Sequence, residues 1–184
     1  MAVDDPRSRI GVYPGSFDPP TIAHVHLAER AIAQCSLDRL YLVISQVTLG
    51  KSDDHLTPLA ERLAELQRLA DTDPALGVRT TDHSLLADIA AGYDLVVMGA
   101  DKWAQVLDPD WYGGIEARDL ALRRLPAIAL APRPPWPMPA DDPAVAVPEG
   151  VEVVILEVDA AHGPVSATEV RAGRTDWRAL PPTS

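Results

Sequence analysis

Apolar and polar positions recur along the chain with two different periods, and the switches between them lay out alternating strands and helices. Residues 10–13 are a brief apolar run that stops at Pro14 and Gly15, as a short buried strand does. Thr21 follows as a natural N-cap, and Val25, Ala28 and Ile32 recur on one face of a helix. Residues 40–45, apolar and rich in β-branched side chains, predict a second strand, and residues 46–55 a polar loop. Thr57, with Pro58 at the first helical position, opens an amphipathic helix reaching residue 70. The pattern then predicts a strand over 77–81, a short helix over 85–91, strands over 94–99, 127–131 and 151–158, and a last helix over 166–172. Residues 1–9 form a polar lead-in.

This alternation implies an α/β protein, a Rossmann-like doubly wound parallel sheet with helices on both faces, in three layers. With 184 residues, one domain is expected. Ligands of such sheets bind at the carboxyl ends of the strands. The turn at Gly15, the turn at Gly99 and the loop after the second strand all belong to that edge. Residues 132–150 stand apart: seven prolines fall between 132 and 148, so a helix or central strand is excluded and a surface excursion is expected.

Composition narrows the partners. A formal net charge of -11 argues against a general nucleic-acid or anionic-membrane surface, while leaving room for a local phosphate pocket. Cys35 is the one cysteine, so no intrachain disulfide forms, and its helical apolar setting predicts a buried spectator. No leader-like or span-length apolar run stands out. A soluble cytoplasmic protein is the expectation, without nucleic-acid or membrane partners and with self-association left open.

The chemistry gathers in four places. Between the first strand and helix, Gly11-Val-Tyr-Pro-Gly-Ser-Phe-Asp-Pro-Pro-Thr-Ile-Ala-His24 joins a strand, a glycine turn and a helix N-terminus. There the unpaired N–H groups and the positive helix end make an anion site, and His24, one turn in, can donate to the same anion. Far downstream, Gly163-Pro-Val-Ser-Ala-Thr-Glu-Val-Arg171 places Ser166, Thr168 and Arg171 around another helix start, suited to phosphate oxygens. In Met98-Gly-Ala-Asp-Lys-Trp, Asp101 follows the strand-ending Gly99 and suits ribose hydroxyls. Asp110-Trp-Tyr112 follows, and Trp103, Trp111 and Tyr112 serve either a ligand or the packing of a helix on the sheet. Only two lysines occur, Lys51 and Lys102. Lys51 falls in the loop after the second strand and Lys102 directly after Asp101, and a solvated surface charge is the default reading of either, whereas His26, His55, His83 and His162 show no metal-ligand spacing.

Gly15-Ser16-Phe17-Asp18-Pro with Thr21-x-x-His24 resembles the first signature of the nucleotidyltransferase superfamily, and Ser166-Ala-Thr168-x-x-Arg171 resembles its second. Ala23 and Ala167 stand where that pattern has a glycine and a serine. The Gly99-Ala-Asp101 and Trp111-Tyr112 region is similar to that of nicotinate mononucleotide adenylyltransferases, and Ala131-Pro-Arg133 is a further partial match.

The resemblance implies the three-layer nucleotidyltransferase fold and adenylyl transfer from ATP to a pyridine mononucleotide, with release of pyrophosphate. It implies that Gly15, Ser16, Phe17, Asp18, Gly99, Asp101, Ser166 and Thr168 bind the nucleotide. His24, Thr21, Lys51 and Arg171 would handle the reacting phosphates. Trp111 would stack on the pyridine, and Tyr112 would offer its N–H to the carboxylate. Mg²⁺ would come bound to the phosphates of ATP and water rather than to a carboxylate cage. Other phosphorylated acceptors, phosphopantetheine among them, and an ATP-binding homologue without catalysis stay open.

Overall fold

The computed structural model describes residues 7–47 and 56–181. Six strands make one sheet: β1 (Ile10–Pro14), β2 (Arg39–Ser45), β3 (Leu76–Thr81), β4 (Leu95–Gly99), β5 (Ala127–Ala131) and β6 (Val153–Ile155). Their order is β3-β2-β1-β4-β5-β6, and every neighbouring pair is parallel. The order reverses between β1 and β4, which is the switch point of a doubly wound sheet.

Strand periodicity of two sends alternate residues into two cores. Tyr13, Leu42, Ile44, Val97 and Ala129 face one side, where Leu27 and Ala31 of α1 (Ile22–Cys35) and Leu66 and Leu69 of α2 (Leu59–Ala70) cover them. Val12, Tyr41, Val43, Met98, Ile128 and Leu130 face the other. There they meet Leu86 of α3 (Leu86–Ile89), Trp103 and Val106 of α4 (Ala100–Leu107), and Leu122 of α5 (Ile115–Leu122). Three layers result, because both faces of a parallel sheet are apolar and need cover.

Several boundaries differ from the sequence reading. The deeply buried side of α1 is Ala23, Leu27, Ala28, Ala31 and Cys35, while Val25 and Ile32 lie on its half-buried flank. Helix α2 starts one residue later than expected, with Pro58 at its N-cap and no side-chain cap. Thr57 instead donates its N–H to Asp18 Oδ1 at 3.4 Å and accepts from Arg62 Nε at 2.8 Å. Strand β6 is only three residues long, because Glu157 turns to α1 rather than to β5. The sequence reading places no helix over α4 or α5, although Ala100, Trp103 and Val106 recur at intervals of three on the buried face of α4.

The proline-rich excursion is anchored. Val145 is buried in a 3₁₀ turn, Pro143–Val145, and its carbonyl accepts the Trp103 indole N–H at 2.8 Å. After α6 (Ala167–Arg171) the chain returns to the first turn, where Ala179 N–H donates to the Pro20 carbonyl at 3.0 Å. Among the described residues, no helix is long and apolar enough to cross a membrane.

Candidate active site

A cavity of about 380 Å³ opens at the carboxyl ends of β1, β2 and β4. Its floor is the β1–α1 turn. Gly15 N–H donates to the Val43 carbonyl at 3.0 Å, and a Cβ on Gly15 would stand 2.9 Å from the Phe17 ring. Glycine therefore lets Phe17 fold back beneath the turn. Phe17 adopts the left-handed region (φ 46°), is almost fully buried, and sets its ring 5.0 Å from that of His24. Arg62, a buried arginine on α2, donates Nη1 to the Ser16 carbonyl at 3.0 Å and so holds the turn from the other side.

Thr21 caps α1 as expected, and the capping box settles the tautomer of His24. Thr21 N–H donates to His24 Nδ1 at 2.9 Å, and Thr21 Oγ1 accepts the His24 N–H at 3.4 Å. A ring nitrogen that accepts an N–H carries no proton, so the proton resides on Nε2. Burial, and then the Arg133 cation, lower the His24 pKa to about 4. His24, which lines the cavity, is thus a neutral Nε2–H donor at pH 7. The first turn of α1 holds no acidic residue, so its positive end is uncompensated.

Opposite stand Gly99, Asp101 and Arg133. A Cβ on Gly99 would meet Asp101 Oδ1 at 2.4 Å, so the glycine lets the carboxylate fold over the strand end. Arg133 Nε lies 3.7 Å from Asp101 Oδ2, and both Nη atoms donate to the Val165 carbonyl at 3.4 Å. Burial pushes the Tyr13 phenol up, with Arg133 partly offsetting it, so Tyr13 faces the cavity uncharged. Ser166 caps α6 by accepting Glu169 N–H at 3.2 Å and lines the same cavity. At the far end a 3₁₀ turn, Pro109–Tyr112, presents Trp111 and Tyr112 across from Leu86 and Ile89. Trp111 is 39% exposed, whereas Trp103 is 1% exposed and belongs to the core.

Gly15, Ser16, Thr21, His24, Gly99, Asp101, Trp111, Tyr112 and Ser166 therefore meet at one cavity. Phe17, Asp18, Thr168 and Arg171 do not line it. Arg171 Nη1 donates to the Asp18 carbonyl and lies 3.5 Å from its buried carboxylate, while Nη2 donates to Thr168 Oγ1 at 3.3 Å. Lys51 and His55 fall outside the described residues. Lys102 lines the cavity and donates to Gln105 Oε1 at 2.7 Å.

Two further residues now belong to the site. Arg133 carried a signal, since it follows β5 at the ligand edge of the sheet. Arg62 carried none, because a buried arginine reads in sequence as one polar position of an amphipathic helix. Asp101 is the one acidic side chain lining the cavity among the described residues, and it already faces Arg133. No group of three metal-ligating side chains gathers among those residues.

A parallel sheet of this order, with its cavity at the switch point and a histidine donor at a helix start, is a doubly wound frame suited to an anionic ligand. The comparisons give its class. The cytidylyltransferase-like family model matches residues 12–173, and the chain belongs to that family. A Rhizobium etli (strain CIAT 652) protein named "Probable nicotinate-nucleotide adenylyltransferase" is 40% identical over 106 residues, covering 50% of this chain and 54% of its own length. A Cereibacter sphaeroides (strain ATCC 17025 / ATH 2.4.3) protein of the same name is 35% identical over 134 residues, covering 66% and 68%. In a Rhizobium leguminosarum bv. trifolii (strain WSM2304) relative so named, the match spans 39% of its length at 41% identity. The chain thus spans between about two fifths and two thirds of the curated relatives it matches.

Among solved structures, Plasmodium falciparum nicotinic acid mononucleotide adenylyltransferase complexed with NaAD aligns with a TM-score of 0.66 at 15% identity. The match covers 90% of this chain and 83% of that one. The same enzyme complexed with APC gives a TM-score of 0.64. At that identity the likeness concerns the fold.

Proposed function

We propose that the protein transfers the adenylyl group of ATP to a pyridine mononucleotide, nicotinate mononucleotide first, releasing pyrophosphate. The observation that carries this reading is the His24 Nε2–H donor, fixed by Thr21 at the uncompensated start of α1 and lining a cavity at the sheet's switch point. The names of the relatives support the choice of acceptor.

In this reading a phosphate oxygen of the acceptor attacks the α-phosphorus of ATP. The bond from that phosphorus to the β-bridging oxygen breaks as the new one forms, and no bond to the protein is made. The work of the chain is positioning and charge stabilisation. His24 Nε2–H and the first N–H groups of α1 hold the reacting phosphates where charge builds up. Ser166, with Arg133 beside it, borders the phosphate end, Asp101 takes ribose hydroxyls, and Trp111 stacks on the pyridine with the Tyr112 N–H toward its carboxylate. Arg171 and Thr168 act from behind by fixing Asp18 and the turn, and Lys51 contributes a cation to the phosphates. Mg²⁺ would be held by the ATP phosphates and water and would supply charge neutralisation there; the cavity's one carboxylate among the described residues, Asp101, already faces Arg133 and fits a site without a dedicated cage. A soluble cytoplasmic setting goes with this activity.

The test is pyrophosphate release with ATP and Mg²⁺ against nicotinate mononucleotide, nicotinamide mononucleotide and phosphopantetheine, with CTP also replacing ATP. Turnover with a pyridine mononucleotide and ATP is expected. Turnover with phosphopantetheine alone would keep the transfer and overturn the acceptor. ATP binding without turnover on any acceptor would overturn the enzyme reading.

A further inference from the structure

Helix α1 has a second face. His26, Arg30 and Gln34 follow one another at intervals of four, which places them in a single row on the helix surface. The chain leaving β6 runs along that row. Gln34 Oε1 accepts the Glu157 N–H at 2.8 Å. Arg30 Nε donates to the Glu157 carbonyl at 3.0 Å, and Nη2 meets the Glu157 carboxylate at 2.6 Å. His26 Nε2 accepts the Asp159 N–H at 3.1 Å, and its ring stacks on His162 with centroids 4.1 Å apart and planes 8° from parallel. From His162 the chain passes through Gly163 to Val165, whose carbonyl takes the Arg133 guanidinium, and to Ser166 at the cavity. His162 and Gly163 also border a crevice of about 20 Å³ shared with Gly99 and Arg133. One turn of α1 therefore presents His24 to the cavity and His26 to the segment that closes it.

We propose that His26 is a positioning residue: through the Asp159 N–H and the His162 ring it fixes residues 159–166 so that Val165 and Ser166 stand at the phosphate end of the cavity. The inference rests on the reading that this cavity binds ATP. Because Nε2 accepts an N–H, the ring proton lies on Nδ1. Protonation would turn that acceptor into a donor facing a donor and set a cation against the His162 ring.

The surroundings decide when this happens. Burial and the neighbouring His162 hold the His26 pKa below its ordinary 6.5, and Arg30 adds to this, while the Asp159 and Glu29 carboxylates oppose it. The Glu157 carboxylate is taken up by Arg30. The neutral form is the one that latches, so the latch is complete at neutral pH and is lost as pH falls below 6.5 toward the lowered value.

Binding of ATP with Mg²⁺, measured by titration calorimetry at about pH 7.5 and about pH 5.5 for wild type, His26→Ala and His26→Gln, tests this. His26→Ala should weaken ATP roughly tenfold at the higher pH, the order expected for a lost hydrogen bond and ring contact. Glutamine offers an amide oxygen to the same N–H without titrating. His26→Gln should therefore bind within about threefold of wild type at the higher pH and lose less affinity on acidification than wild type does.

Unchanged ATP affinity in His26→Ala, even with a lowered melting temperature, would overturn the inference. So would an acid-side loss in His26→Gln equal to that of wild type. If His26→Ala fails to fold, the pH comparison with His26→Gln decides alone. Wild-type protein that binds no ATP at either pH would overturn the functional reading and this inference with it.

Discussion

His24 carries its proton on Nε2 because Thr21 N–H occupies Nδ1, and that one hydrogen bond makes a neutral histidine into a fixed donor. His24→Ala should lower turnover by roughly 10²–10³, the loss seen when one preorganised donor to developing oxyanion charge is removed; steady-state kinetics with saturating ATP checks it, and near-normal turnover would remove His24 from the chemistry. The same ring has a signature in stability. Its pKa is about 4 when folded, against 6.5 ordinarily, so below pH 6.5 the unfolded chain takes up the proton first. Stability contributed by the neutral ring is thus complete above pH 6.5 and declines as pH falls toward 4. Melting temperatures across that window should fall more steeply for wild type than for His24→Gln, which cannot titrate. Gly99→Ala separates folding from binding: the added Cβ meets the movable Asp101 carboxylate at 2.4 Å. The melting temperature should stay within a few degrees while nucleotide affinity drops, as ATP titration would show.

At the scale of elements, the periods of two and 3.6 carry most of the layout, because strands buried on both faces and a helix covering one of them leave distinct apolar patterns. Thr21 and His24 were legible for the same reason: a capping residue and a first-turn histidine are local features. For Arg171, its place in the motif specifies a helix turn but not the direction of a long side chain, which lies against Asp18. Strand β6 is shorter than its apolar run because Arg30 and Gln34 draw Glu157 away, a long-range contact that periodicity does not encode. Arg62 is the most consequential residue of this kind. Its guanidinium satisfies the Thr57 and Ser16 carbonyls from a buried position. Arg62→Met should cost about 1–3 kcal/mol in urea unfolding, the penalty for buried carbonyls left without donors. It should also weaken ATP binding, since the β1–α1 turn loses its brace.

For the whole molecule, strand order matters more than any single motif. The reversal between β1 and β4 brings the Gly15 turn, the Gly99 turn and the start of α6 to one edge, although Gly15 and Ser166 are far apart in sequence. A net charge of -11 makes that edge distinctive: Arg133, Lys102 and the start of α1 bring positive charge to the cavity of an otherwise acidic protein, and in the proposed function that charge draws the phosphorylated ligand. In the proposed function the adenylyl group of ATP leaves this cavity joined to a pyridine mononucleotide. The direct measurement follows the label from ATP radiolabelled at the α-phosphate, with Mg²⁺ and nicotinate mononucleotide, separating the products by chromatography. The label should appear in a dinucleotide, in step with unlabelled pyrophosphate. Label that stays in ATP, or appears only as free AMP or ADP, would contradict the claim.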